Sequence, residues 1–242
     1  MNVFLAGASG AVGRRLTPLL VAAGHTVTGT TRSGEKAAEL RARGIDAVVV
    51  DVFDAEALRA AVLRARPEVV IHQLTDLPQV VDPARFAEAL GRNSRLRSEG
   101  TVNLMAAAQV AGARRLIAQS IAFAYADGPE PHAENDPLVA AEGEQPSAVS
   151  ARGVRALEAA VRHTPGVDGI VLRYGRLYGP GTWNWAPSGR GALHVDAAAR
   201  AALLAIARGT PGVYNIAEDD GAVSIEKART ELGFDPAFRL KN

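Results

Sequence analysis

Three glycines, Gly7, Gly10 and Gly13, follow directly on the apolar run at residues 2–6 and open a helical pattern. Spaced in this way they form a layout that can hold a pyrophosphate. A strand must turn sharply into a helix whose free N–H groups face the anion. Gly7 supplies the turn without a Cβ penalty, Gly10 lets the backbone approach the phosphates, and Gly13 lets the helix pack closely on the strand. Ser9 adds a hydroxyl, and Ala11 and Val12 belong to the first helical turn. Glycines alone are a weak signal. Here they follow a strand and precede the periodic Val12, Leu16, Leu19 and Ala23, which makes dinucleotide binding the expectation.

The choice of dinucleotide is expected at the end of the second strand. An acid there would hold the adenosine ribose hydroxyls and repel a 2′-phosphate. The chain has Thr30, Thr31, Arg32 and Ser33 instead, hydroxyls and one guanidinium that can pair with a phosphate. NADP is therefore favoured, with NAD as the alternative and a solvated Arg32 as the blander reading. Asp51 and Val52, after the third strand, would border the adenine; Asp51 alternatively caps the next helix.

The elements that must position these groups alternate along the chain. Strand-like segments at 27–31, 45–50 and 69–74 are followed by helical patterns at 35–43, at 55–65 and over a long stretch ending near 110. A fifth strand at 115–120, a helix at about 149–162 and a sixth strand at 169–174 complete a doubly wound α/β, Rossmann-type parallel sheet. Beyond lie a turn-rich stretch at 175–191, a helix near 196–208, a short strand at 213–216 and a helix near 225–232. The expectation is one domain over 1–242, with 175–242 contributing a small, shortened substrate lobe.

Composition fits that architecture. The 242 residues, 48% hydrophobic and 22% charged, can bury a sizeable core. A net charge of +1, with 24 arginines and 3 lysines dispersed among acids, gives no footprint for nucleic acid or a membrane surface. The absence of cysteine removes disulfides, thiol nucleophiles and thiolate metal sites. No histidine cluster has metal-ligand spacing, so no metal is expected. The first residues build a strand where a secretory leader would need a basic and then an apolar segment, so a cytoplasmic protein is expected.

The residues resemble the extended short-chain dehydrogenase/reductase family, in its NAD-dependent epimerase/dehydratase branch. The resemblance rests on GASGAVG at 7–13, VVIHQLT at 69–75, EGTVNLMAAAQVAGARRLIAQS at 99–120 and LRYGRLYGPGT at 172–182. HVD at 194–196 matches a motif that opens a late helix in the family, and SIEKARTELGF at 224–234 looks like its C-terminal helix. Gln73 and Leu74 fall where the family's backbone passes the cofactor.

The family's hydride chemistry uses Tyr and Lys in YxxxK, a Ser or Thr, and a helix Asn, and here the chain departs from it. Aligning the helix through Arg155, Leu157 and Glu158 puts Ser150 at the tyrosine position and Val154 at the lysine position. The only lysines are Lys36, Lys227 and Lys241. Ile121 stands at the usual catalytic serine, after Ser120, and Arg97 replaces the helix Asn three residues before Gly100. A positioned acid or base contributes roughly 10²–10⁴-fold, and the ordinary relay is missing.

Replacement groups must lie at the C-terminal ends of the strands. Ser120 can bond a substrate oxygen or satisfy local backbone. Tyr125 lines the site in the family or is a packed ring. Tyr174 can donate a proton if Arg173 or Arg176 depresses its pKa. Ser120 and Tyr174 would also border the cofactor. His72 reads better as a buried structural histidine than as an acid/base group, and Tyr178 as the shaper of a turn. Trp183 and Trp185 form a lid, an interaction patch or simple packing over an open site. The resemblance, taken with the NADP reading of Arg32, implies an NADP-dependent oxidoreductase or epimerase/dehydratase-like protein acting on a small carbonyl or alcohol, with a displaced acid/base group and a homodimer as the compatible assembly. The alternative is a non-catalytic NADP(H) sensor.

Overall fold

The computed structural model describes residues 1–78, 80 and 82–240. In chain order the regular elements are β1 (Asn2–Ala6), α1 (Ala11–Ala22), β2 (Thr26–Thr31), α2 (Gly34–Ala42), β3 (Asp46–Val49), α3 (Ala55–Ala65), β4 (Val69–His72), α4 (Phe86–Arg95), α5 (Thr101–Val110) and β5 (Arg115–Ile121). They continue with α6 (Pro146–His163), β6 (Asp168–Tyr174), β7 (Arg176–Tyr178), β8 (Ala192–His194), α7 (Val195–Leu204) and β9 (Gly212–Ile216). A π-turn, Leu96–Gly100, joins α4 to α5 as one bent helix, and a second, Ala228–Leu232, lies near the C-terminus.

Seven strands form a parallel sheet in the order β3-β2-β1-β4-β5-β6-β9. The chain winds outward from β1 in one direction and from β4 in the other, so a crevice opens between the ends of β1 and β4. Successive strand residues point to opposite faces. Val3, Leu5, Ile170 and Leu172 pack beneath α1, α2 and α7, with Leu16, Leu40 and Ala198. Phe4, Ala6, Val70, Leu116 and Val171 pack beneath α3, α5 and α6, with Leu58, Leu104 and Leu157. Each fully buried Leu or Ile of this kind contributes about 1.5–3 kcal/mol, so both layers hold the strand ends in place.

Local signals set where the helices begin. Ser33 accepts from the Lys36 N–H at 3.3 Å and opens α2, while Asp54 accepts from the Ala57 N–H at 3.0 Å and opens α3. Pro146 stands at the first turn of α6. Two differences from the sequence reading matter for the site. The stretch at 175–191, expected to be turn-rich, contains β7, which pairs in parallel with β8 in a small second sheet. The fourth strand stops at His72, because the Leu74 N–H turns back to the His72 Nδ1 at 3.2 Å.

Candidate active site and cofactor cradle

The glycine loop is built as its spacing suggests. Gly7 has φ +90°, a left-handed conformation that side chains resist, and a Cβ there would lie 2.8 Å from the Gln73 carbonyl. A Cβ on Gly13 would lie 2.2 Å from the Gly7 carbonyl oxygen. The loop is pinned to β2: the Gly7 N–H donates to the Thr30 Oγ1 at 3.2 Å and the Ala8 N–H to the Thr30 carbonyl at 3.2 Å. Gly10 is the N-cap of α1 and offers no capping side chain, so the N–H groups of Ala11, Val12 and Gly13 are left to the crevice. These are donors for an anion at a positive helix end. On the far side, Gly181 of the GPGT turn approaches Ala11, within 3.7 Å for a Cβ built there.

At the end of β2 the Ser9 hydroxyl donates to the Thr31 Oγ1 at 3.2 Å, and the Ser33 N–H donates to the same oxygen at 3.2 Å. Arg32 is 58% exposed and its guanidinium pairs with Asp76 at 2.9 Å. Asp51 does not cap α3, a role that falls to Asp54; its carboxylate accepts the Phe53 N–H at 3.0 Å. Val52 is buried, with its carbonyl accepting from the Asn103 amide at 3.0 Å. Gln73 is buried with its Nε2 donating to the Tyr174 hydroxyl at 3.3 Å, while its Oε1 has no partner among the described residues. Leu74 is half-buried at the crevice.

The other side of the crevice carries a buried polar chain. Glu158 of α6 accepts from Arg173 of β6 at 2.9 Å and 2.7 Å and from the Ser120 hydroxyl at 2.8 Å. Arg173 also donates to the Tyr125 hydroxyl at 2.7 Å, and Tyr125 donates to Asn215 at 2.7 Å. Burial of Arg173 opposes its charge, but the Glu158 carboxylate more than offsets that and its pKa rises. Burial raises the Tyr125 pKa against the pull of Arg173. The Tyr125 ring stacks on His132 at 4.9 Å.

Tyr174 lies on the opposite face of β6 from Arg173 and is 1% exposed. Its hydroxyl donates to the Ala198 carbonyl at 3.1 Å. The condition set for it as a proton donor is reversed. Burial pushes its pKa well above the usual tyrosine value, and the Arg176 guanidinium sits over the Phe123 ring at 4.6 Å instead. Ser120, Tyr125 and Tyr174 are therefore all bonded to protein acceptors, and Tyr174 faces a different layer from the other two.

At the relay positions, Ser150 is half-buried in the second turn of α6 and Val154 is 0% exposed. Val154 packs with Ile121 and Ala124, an apolar contact where the family would have an ammonium. His72 is buried and its pKa falls to about 4, mainly through desolvation and secondarily through Arg97. It accepts from the Leu74 N–H, so its Nε2 carries the proton that goes to the Thr101 Oγ1 at 3.0 Å. His194 caps α7 by accepting the Asp196 N–H at 3.1 Å. Tyr178 bonds Glu218 at 2.5 Å and shapes the β7 end. Trp183 donates to the Pro78 carbonyl at 2.8 Å and sets its edge to Phe86, while Trp185 is 80% exposed. The 182–191 segment is thus tied to the loop after β4. The π-turn and the Glu158–Arg173 pair escaped the sequence reading, although a lone arginine inside the apolar run of β6 was a usable signal.

Residues 3–192 match the model of the NAD dependent epimerase/dehydratase family. The chain belongs to that family. Membership carries its class, a nicotinamide-dependent enzyme of oxidoreductase or epimerase/dehydratase type. A 3-diazoavenalumate denitrifying reductase from Streptomyces sp is 43% identical over 233 residues, 96% of this chain and 72% of the relative. Among solved structures, the UDP-glucose 4-epimerase of Thermotoga maritima with UDP-glucose superimposes with a TM-score of 0.80 at 19% identity, covering 99% of this chain and 94% of that one. The UDP-glucose 4-epimerase of Thermus thermophilus in complex with NAD gives a TM-score of 0.72 at 22% identity, over 98% and 85%. These two share the fold. Among the described residues no group of acidic or histidine side chains is placed to hold a metal, and no helix is long and apolar enough to cross a membrane.

Proposed function

We propose that this member of the family is an NADP-preferring reductase that delivers hydride to a small acceptor which is electrophilic without being protonated. The aryl diazo group is the type of acceptor, in keeping with the name of the 43% identical relative, a 3-diazoavenalumate denitrifying reductase. The observation that carries the proposal is the state of the site's hydroxyls. Ser120, Tyr125 and Tyr174 each donate to a protein acceptor, and Val154 holds the lysine position in an apolar contact.

A carbonyl takes hydride only as its oxygen gains a proton, so it loses roughly 10²–10⁴-fold without a positioned acid. An aryl diazonium has no such need. Hydride adds to its terminal nitrogen, one N–N π pair moves onto the inner nitrogen and cancels the charge, and the resulting aryl diazene gives up its N–H proton to water, loses N₂ and takes a proton from water at the ring carbon. The balance is ArN₂⁺ plus hydride giving ArH plus N₂. The reduced nicotinamide, when bound, supplies that hydride. The chain's own part is to bind and orient: the α1 N–H groups and the Gly7 turn grip the pyrophosphate, and Gly181 closes over Ala11. Arg32, Thr31, Ser33 and Ser9 form the seat for a 2′-phosphate, with Asp76 giving up its pair when the phosphate arrives. Asp51 and Val52 flank the adenine, Gln73 and Leu74 the nicotinamide half. Residues 175–240 shape a reduced substrate lobe, with Trp183 over the loop after β4.

Incubation with NADPH and 4-carboxybenzenediazonium, following NADPH oxidation together with N₂ and benzoate, tests this. One benzoate and one N₂ for each NADPH oxidised, above the no-enzyme rate, is the expected result. Benzoate and N₂ released without matching NADPH oxidation, or no consumption above background, contradicts it.

A further inference from the structure

Three arginines are buried, and the fold bonds the guanidinium ends of two of them, with the Arg115 Nε left without a partner among the described residues. Arg115 donates to the carbonyls of Ala205, Arg208 and Gly209 at 2.8, 2.8 and 3.3 Å. Arg173 forks onto Glu158. Arg97, in the π-turn between α4 and α5, makes no hydrogen bond and no ion pair with any described residue, although it is 6% exposed. A buried guanidinium without a partner is costly, and π-turns inside helices often mark ligand sites.

Its direction and its charge both point to the crevice. A helical side chain leans toward the helix N-terminus, and a helix between parallel strands runs against them, so Arg97 reaches toward the strand ends. There its field acts on His72 at the end of β4 and on Glu158 beside the end of β5. The approach is close: a Cβ on Gly153 of α6 would lie 2.8 Å from the Ser94 Cα, one turn before Arg97. The local charge does not balance. Arg97 and Arg173 are two cations, Glu158 is one anion already bonded by Arg173 and Ser120, and His72 is neutral near pH 7. Burial lowers the Arg97 pKa to about 10, which still leaves it charged at neutral pH.

We propose that Arg97 is an anchor for an anionic substrate, its guanidinium receiving a carboxylate or phenolate oxygen of the acceptor. Arg97 then selects anionic acceptors over neutral ones of the same shape, and the ligand supplies the charge the fold withholds. This rests on the reading of the crevice as the seat of a small acceptor.

Calorimetry on the NADP⁺-loaded protein tests it with two pairs of probes, cinnamate against cinnamamide and 4-nitrophenolate against 4-nitroanisole. At least one anion is expected to bind about tenfold or more tighter than its neutral partner, a preference that Arg97→Met abolishes and Arg97→Lys partly keeps. Which pair shows the preference distinguishes a carboxylate from a phenolate. Equal binding within both pairs, no binding of either anion, or a preference that survives in Arg97→Met overturns the proposal. Arg97→Met is also expected to melt no lower than the parent, since it removes an uncompensated charge. A lower melting temperature shows that the fold itself uses the charge and equally overturns it. Binding is read without turnover, so a protein that selects anions yet reduces no diazo acceptor refutes the reaction above and leaves Arg97 in place.

Discussion

On the β1–β2 side of the crevice the polar groups are open to a ligand. The first N–H groups of α1 have no cap, the Thr31 and Ser9 hydroxyls sit together, and Arg32 lies in solvent with one replaceable partner. On the β5–β6 side the polar groups are closed on each other: Ser120, Glu158, Arg173, Tyr125 and Asn215 form one continuous chain of bonds. The first side offers free donors to an anion. The second is closed into a scaffold of its own bonds, and the difference teaches that this fold can leave donors free for an anion at one set of strand ends while committing the hydroxyls at the other to protein acceptors. Arg97, buried and unpaired with any described residue, is the exception on the closed side.

The comparison breaks most visibly at Glu158. Glu158→Ala leaves the Arg173 guanidinium buried without its carboxylate, and a loss of about 3–5 kcal/mol is expected in denaturant unfolding. A loss below about 1 kcal/mol would mean that the chain is not a scaffold. His72 gives the next effect. Its pKa is lowered from 6.5 to about 4, so below pH 6.5 the unfolded chain binds more protons than the folded one. Stability is then full above pH 6.5 and falls as the pH drops toward 4, by about 3 kcal/mol, an acid loss that His72→Phe should reduce relative to its own neutral value. On the open side, Arg32→Ala is expected to erase a preference of about tenfold or more for NADPH over NADH, about 1.4 kcal/mol by titration calorimetry. Equal affinities in the parent would remove the phosphate seat. Smallest is Tyr174→Phe, which loses the bonds to Ala198 and Gln73 for about 1 kcal/mol of stability and leaves single-turnover hydride transfer unchanged. A large fall in rate without a fall in stability would return Tyr174 to catalysis.

Much of this arrangement was legible in the residues. The glycine spacing, the strand at its front and the alternation of apolar runs carry the sheet and the cradle, because both depend on local backbone freedom and on periodicity. The missing lysines were equally plain, since an ammonium cannot be supplied by a chain with none between Lys36 and Lys227. What the sequence did not show was pairing across distance. Nothing local says that Glu158 and Arg173 meet, that Tyr174 turns to the α7 layer while its neighbour faces α6, or that β7 finds β8 across the 182–191 segment. The π-turn is of the same kind: Arg97 could be aligned with an asparagine, but its burial without a partner is a property of the packed helices.

The most direct measurement is the ratio of two single-turnover rates on the same NADPH-loaded protein, one with 4-carboxybenzenediazonium and one with 4-carboxybenzaldehyde, each corrected for the rate without enzyme. The two acceptors share a carboxylate and differ in their need for an acid, a difference of roughly 10²–10⁴-fold. Fast reduction of the diazonium with the aldehyde slower by about that factor is the predicted result. Comparable rates, or reduction of the aldehyde alone, would show that an acid operates in this crevice and would contradict a hydride site without a relay.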